Sequence, residues 1–410
     1  MSKETTTLPS TTDIEDVAIT DPSQNGELQT GRVLTVVAGH AVHDTYTAFL
    51  PPLLPAFIAN LSLSRAEAGL LSAFLSTPSV LQPLLGHFAD RINLKALIIL
   101  GPTITGIMMS VLGVTSSYWM MALFLIVAGL SSAGFHATAP VMISTLSGRS
   151  LGRGMGFWMV GGELGRALGP IVVAMVIRYL EIQGIAWLLP GGLITSFIIY
   201  LRLRDIPERR PDVAMDLSWT AAIRSMRPIL IPLLGLLLTR TFLGPALSTF
   251  LPTYLADEGA EIWFAGISLS LLEIAGIVGA FLGGTISDRI GRKRVLAIST
   301  LAAPLLTLLF VATDGWVQIL LLPVLGLAAL STTPVVMAIV LESVPEYRAM
   351  ANGIYFALSF ALRSGAVLVL GILGDNFGLG MAFQISSVIT LLGLPIIPFL
   401  PKRGQAQATG

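Results

Sequence analysis

The sequence predicts an all-α polytopic membrane protein, with twelve transmembrane helices in two pseudo-symmetric six-helix bundles. Three observations carry that prediction. Of 410 residues, 54% are hydrophobic and only 12% charged, about half the charge of an average soluble domain. Apolar runs of ~20 residues, each enough to cross a ~30 Å hydrocarbon core as a helix, recur along the chain. The second half also repeats the first at a constant offset. The short alternating segments of a membrane barrel are absent.

The elements follow in order. Residues 1–30 hold six acidic residues and one lysine, without the basic start and apolar core of a signal peptide. They are expected to form a disordered tail. The predicted spans are 32–58, 66–88, 95–114, 119–146, 152–177, 184–201, 229–255, 263–286, 295–311, 317–341, 350–373 and 379–399. Connections are short except around "RLRDIPERRPD", which divides the chain into a bundle at 31–203, a linker at 204–227 and a bundle at 228–400, with a tail at 401–410. With the N-terminus inside, inner segments hold 19 of the 24 basic residues and outer loops hold two, Arg65 and Arg178. Both termini are therefore expected to be cytoplasmic, with the chain in the cell (inner) membrane.

Net charge is zero, which gives no global attraction for nucleic acid. There is no cysteine, which excludes disulfides, thiolate metal sites and thiol catalysis. No phosphate-binding loop and no zinc His-Glu-x-x-His pattern is present, so neither enzyme chemistry nor a cofactor or metal is expected.

The repeat has an offset of 197. "AGL" at 68–70 answers "AGI" at 265–267, Gly156 answers Gly353, and Arg166 answers Arg363. "GHFADRINLK" (86–95) follows span 2 and "GTISDRIGRK" (284–293) follows span 8. Two similar bundles can rock about a central site and expose it to each side in turn. The paired Gly-x-x-x-Asp-Arg-x-Gly-Arg-Lys loops resemble those of the major facilitator superfamily. The first copy has Asn93 and Leu94 where the second has Gly291 and Arg292. Beyond anchoring by positive charge alone, the loops are expected to form a cytoplasmic gate built on Gly86, Asp90, Arg91, Gly284, Asp288, Arg289 and Arg292, whose aspartates, at helix ends beside basic groups, can pair with the opposing bundle when the inside is closed. "HAVHD" (40–44), "GLSSAGFH" (129–136) and "GRSLGRGMGFWMVGGELGRALGP" (148–170) further resemble the fosmidomycin resistance family of efflux proteins. Ala137, Thr138 and Glu163 replace that family's proline, glutamate and asparagine.

A charge at the bilayer centre costs at least ~2.5–3.5 kcal/mol on insertion scales, so it persists where it faces a cavity or a partner. His40, His43 and Asp44 fall mid-span 1, His136 in span 4, Glu163 and Arg166 in span 5, Arg240 in span 7, Glu273 in span 8 and Arg363 in span 11. Spans 3, 6, 9 and 12, peripheral in the facilitator fold, carry none in their interiors. Glu163 and Arg166, three residues apart, share a helical face. Arg166 and Arg363 are expected to clamp an anion from the two bundles, since the planar guanidinium fork suits carboxylate, phosphonate and phosphate. Arg240, Glu163, His136 and His40 join them as substrate-binding candidates. Asp44, Glu163 and Glu273 are the proton-coupling candidates, Asp44 foremost. Glu273 is also expected to partner Arg240, and His43 to be a tolerated polar residue. The glycines at 161, 162, 165 and 169 suit close helix packing.

The sequence thus predicts a monomeric secondary transporter working by alternating access. The expected activity is proton-coupled export of an anionic or amphiphilic small molecule. A proton- or sodium-coupled importer of a small organic anion stands as the alternative, and a non-transporting receptor or scaffold as the reading from another class.

Overall fold

The structure is a computed structural model and describes residues 27–89, 94–206, 219–344 and 347–401. Asp90 and Arg91 lie outside the described residues. Ten helical segments are long and apolar enough to cross a membrane. One of these, Tyr118–Leu180, is two crossings joined by the turn at Gly148–Ser150. The chain's first crossing, interrupted midway, is additional, so the described residues make twelve.

Span 1 is α1 (Thr30–Thr47) and α2 (Leu50–Leu61), broken just ahead of Pro51 and Pro52, whose missing N–H groups suit a first helical turn. Span 2 begins with a capping box in which Ser64 and Glu67 satisfy each other's backbone N–H groups. It runs as α3 (Arg65–Ser76), a 3₁₀ turn at Thr77–Leu81 and α4 (Gln82–Ala89). Spans 3 to 6 are built on α5 (Leu94–Ser110), α6 (Tyr118–Ser147), α7 (Leu151–Leu180) and α8 (Leu189–Leu203). Span 7 is α9 (Trp219–Arg240), α10 (Leu243–Pro245), a π-helical segment at Ala246–Phe250 and α11 (Leu251–Asp257). Span 8 is α12 (Ile262–Ile290) and span 9 α13 (Arg292–Val311), separated by Gly291 at φ 101°, a conformation that side-chain-bearing residues rarely adopt. Span 10 is α14 (Gly315–Leu330) and α15 (Thr332–Ser343), span 11 is α16 (Arg348–Phe377), and span 12 starts with α17 (Leu379–Leu391).

The 197-residue repeat reappears as pairs of contacts. A Cβ on Gly129 would lie 2.4 Å from the Leu75 carbonyl oxygen, and one on Gly326 2.1 Å from that of Leu272. A Cβ on Gly69 would lie 2.7 Å from the Val367 carbonyl oxygen, and one on Gly266 3.3 Å from that of Pro170. The first pair joins spans 2–4 and 8–10 inside each bundle. The second joins span 2 to span 11 and span 8 to span 5 across the bundles. Each pair is related by the same offset, so the two bundles meet pseudo-symmetrically.

Each bundle has two apolar cores with a polar layer between them. In the first bundle Val33, Val36, Phe135 and Leu146 belong to one core, and Tyr46, Phe49, Met121 and Leu125 to the other. His40, His43, Asp44 and Ser132 fall between. In the second bundle Met226, Leu236, Leu296 and Val335 form one core and Leu243, Phe250, Ala303 and Leu322 the other. Arg240, Thr300 and Thr332 fall between. Span 5 reaches the polar layer because it approaches span 1 backbone to backbone. Cβ atoms on Gly161, Gly165 and Gly169 would lie 2.8, 2.3 and 2.5 Å from the carbonyl oxygens of Val37, Ala41 and Thr45.

Besides the mid-depth hydroxyl contacts of Ser76 and Thr77 with Ser364, ionic contacts join the bundles at the face opposite the chain's first described residues. Arg65 donates to Asp257 Oδ2 at 2.7 Å, and Asp375 accepts the backbone N–H groups of Arg65 (2.7 Å) and Ala66 (2.9 Å). A carboxylate of span 11 thus caps the first turn of span 2 in the other bundle. Arg178 pairs with Glu261 at 3.0 Å and lies over the Trp263 ring. Asp375→Ala removes the shared cap. A single cysteine introduced in the cavity of this cysteine-free chain is expected to react faster with an impermeant thiol reagent applied from that face; an unchanged rate would show that the cap does not hold the face shut.

Candidate functional site

His40 and Asp44 stand one turn apart on α1, and His136 reaches them from α6. His40 Nε2 is 3.3 Å from Asp44 Oδ2, His136 Nε2 is 3.4 Å from Asp44 Oδ1, and the two Nε2 atoms are 3.2 Å apart. His40 Nδ1 lies 3.0 Å from the Trp158 carbonyl oxygen and His136 Nδ1 3.0 Å from that of Ser132. A carbonyl only accepts, so both Nδ1 atoms carry hydrogen and both Nε2 lone pairs of the neutral rings point inward. His40 stacks on the Trp158 indole at 3.5 Å. Gly162 closes the other side: a Cβ there would lie 2.4 Å from His40 Cε1. Asp44 is 6% exposed, and its Oδ1 accepts no hydrogen bond among the described residues.

His43 points away, as expected of a residue adjacent to Asp44. It stacks on Phe135 at 4.5 Å inside the first bundle, and neither ring nitrogen finds a hydrogen bond among the described residues.

Glu163 and Arg166 pair on one face of α7, and both retain exposure. Arg363 of α16 donates to Ser248 Oγ at 2.9 Å and Thr249 Oγ1 at 3.4 Å, both in the π-helical segment of span 7. Such widened turns are frequent at functional sites. Glu273, 9% exposed on α12, lies in the electrostatic field of Arg166, Glu163 and Arg363. These four groups come from three spans in two bundles and face a common region.

One expected pairing takes a different form. Arg240 does not meet Glu273. Its guanidinium donates to Thr300 Oγ1 at 3.2 Å and to Thr332 Oγ1, within the second bundle between spans 7, 9 and 10. Glu273 sits on the face of α12 that packs on α7 of the other bundle, so the two residues share depth but not direction. The cross-bundle pairing of Asp288 is expected when the cytoplasmic side closes; in this structure Asp288 stays within its own bundle. It pairs with Arg292 at 2.7 Å, and Arg292 also donates to Glu342 at 2.9 Å, all within the second bundle. Arg289 is exposed, and Gly284 lies near Pro334 of the same bundle. Gly86 lies in α4, and the remainder of the first loop's gate falls outside the described residues. Nothing in the sequence pattern marked the Arg65–Asp257–Asp375 cluster, whose members are 192 and 310 residues apart.

The sequence profile of the Major Facilitator Superfamily matches residues 36–361 and 264–409. The chain belongs to that superfamily. It is a multi-pass membrane transporter, not an enzyme. It is 24% identical over 373 residues to the fosmidomycin resistance protein of Escherichia coli (strain K12), covering 88% of this chain and 90% of that one. A solved bacterial homolog of the human lysosomal transporter Spinster superposes with a TM-score of 0.76 at 17% identity, covering 90% of this chain and 95% of the other. A D-xylose–proton symporter superposes with a TM-score of 0.73 at 18% identity, covering 91% and 98%. Both solved structures share the fold.

Proposed function

We propose that this transporter exports an anionic or amphiphilic small molecule in exchange for protons. The observation that carries the reading is the convergence of Arg166, Arg363, Glu163 and Glu273 on one region between the bundles. The arginines, one from each bundle, hold the acidic end of the substrate. Glu273 accepts a hydrogen bond from a donor group of the same molecule. A proton arriving on Glu273 removes its negative charge and weakens that charge-assisted contact, so proton and substrate compete for one site, and competition is what produces exchange. The proton site is assigned to Glu273 rather than Asp44. Glu273 lies in the electrostatic field of Arg166 and Arg363, the proposed anion-holding pair, whereas Asp44 is enclosed by His40, His136 and the glycine face of span 5. The face bearing the termini is cytoplasmic in this reading, consistent with the placement of lysine and arginine. Similarity to the fosmidomycin resistance protein, whose name indicates drug resistance, supports the export direction.

The test is a proteoliposome assay with an internal pH dye and a panel of organic anions applied outside. Exchange predicts that each transported anion drives protons in the opposite direction. If Glu273 only neutralises the arginines, its protonation frees them instead. Proton and anion then travel together, and internal acidification on anion entry rejects exchange in favour of cotransport.

A further inference from the structure

We infer that His40, Asp44 and His136 form a binding site for a divalent transition cation of the Zn²⁺ class, held inside the first bundle. The inference rests on the geometry of these three side chains and not on the transport reading. The ligating atoms of all three lie within 4.8 Å of one another. The two Nε2 atoms are 3.2 Å apart, and Asp44 offers Oδ2 to His40 at 3.3 Å and Oδ1 to His136 at 3.4 Å, each separation close to the ~3.3–3.4 Å between neighbouring ligands of a tetrahedral ion with ~2.0–2.1 Å bonds. Without a cation the arrangement is unfavourable. Two Nε2 lone pairs and a carboxylate, all acceptors, face one another in a buried layer. One proton bridges an imidazole to Asp44 and leaves the other ring's lone pair facing inward, and a proton on each ring sets two positive imidazoles 3.2 Å apart. A divalent cation satisfies all three.

The outer contacts agree. Each imidazole donates its Nδ1 hydrogen to a backbone carbonyl, Trp158 for His40 and Ser132 for His136. That is the arrangement which orients a metal-bound histidine and fixes its tautomer. Two imidazoles and one carboxylate suit Zn²⁺ and its neighbours better than Mg²⁺ or Ca²⁺, which favour oxygen throughout. Three protein ligands leave one position open. The His136 side chain is 27% exposed, against 5% for His40 and 9% for Asp44, so the opening and the entry route lie on the His136 side. The sequence conceals the site because His40 and His136 are 96 residues apart.

The chain has four histidines and no cysteine, so competing sites are few. Full-length protein freed of any affinity tag and of metal is titrated with Zn²⁺ alone by calorimetry and with Co²⁺ alone by visible spectroscopy. The expected result is one Zn²⁺ per chain and the intense visible bands of four-coordinate Co²⁺. Both are lost in His136→Gln, which sits at the exposed edge and is checked for fold by helical circular dichroism, and both persist in His87→Gln. No uptake by the wild type, or uptake that survives His136→Gln, overturns the site. Should His136→Gln fail to fold, X-ray absorption on the Zn²⁺-loaded wild type counts imidazole ligands directly: two support the site, and fewer than two overturn it.

Discussion

Replacing Glu273 with glutamine abolishes uphill transport driven by a pH gradient, while substrate-for-substrate exchange across the membrane continues. Glutamine keeps the size and the acceptor oxygen of glutamate but cannot take up a proton. The substrate site therefore survives with lowered affinity, because glutamine lacks the charge just as the protonated acid does, and exchange continues at raised substrate concentration; the step that couples it to protons is lost. The position favours this outcome because Glu273 stands on span 8 against span 5 of the other bundle, in the field of Arg166 and Arg363. A partner change at this position is felt across the interface that must rearrange in each cycle. The measurement is paired: counterflow of labelled substrate, and accumulation against a gradient, in the same vesicles. Uphill accumulation that persists in Glu273→Gln removes the residue from the coupling step.

Losing either arginine of the pair Arg166 and Arg363 weakens substrate binding by about one to two orders of magnitude, because a charge-assisted contact contributes roughly 1.5–3 kcal/mol. Lysine at either position also weakens it, since it keeps the charge but not the planar fork. At position 363 it further breaks the paired donation to Ser248 and Thr249. Arg166 already has a partner in Glu163 on its own helix, which makes the double variant Glu163→Gln/Arg166→Gln decisive. If Arg166 serves only to neutralise Glu163, removing both restores near-wild-type affinity. If Arg166 holds the substrate, the double variant binds as poorly as Arg166→Gln. Equilibrium binding of the transported anion distinguishes the two.

The sequence revealed depth far better than direction. Hydropathy and the 197-residue repeat located the crossings, and the repeat returned in space as the Gly129–Leu75 and Gly326–Leu272 contacts. The glycines of span 5 were legible as packing residues because only a missing side chain permits such approach. Which way a mid-span charge points depends on the rotation of its helix, and periodicity cannot fix that when a span is apolar on all sides. Arg240 and Glu273 were therefore paired by depth, although one faces the interior of the second bundle and the other the first bundle. The third ligand of the histidine–aspartate cluster was hidden for a related reason. His40 and Asp44 announce themselves by their spacing, but His136 joins them only through the packing of α6 on α1.

The cap that Asp375 places on span 2 has a consequence for how the cycle can be timed. The amide hydrogens of Arg65 and Ala66 are held by a carboxylate that belongs to the other half of the molecule. Ordinary fraying of a helix end is local, but here the end loosens only when the halves part. Isotope exchange at these two amides is thereby gated by the global motion, and its rate becomes an internal clock for how often the closed face opens.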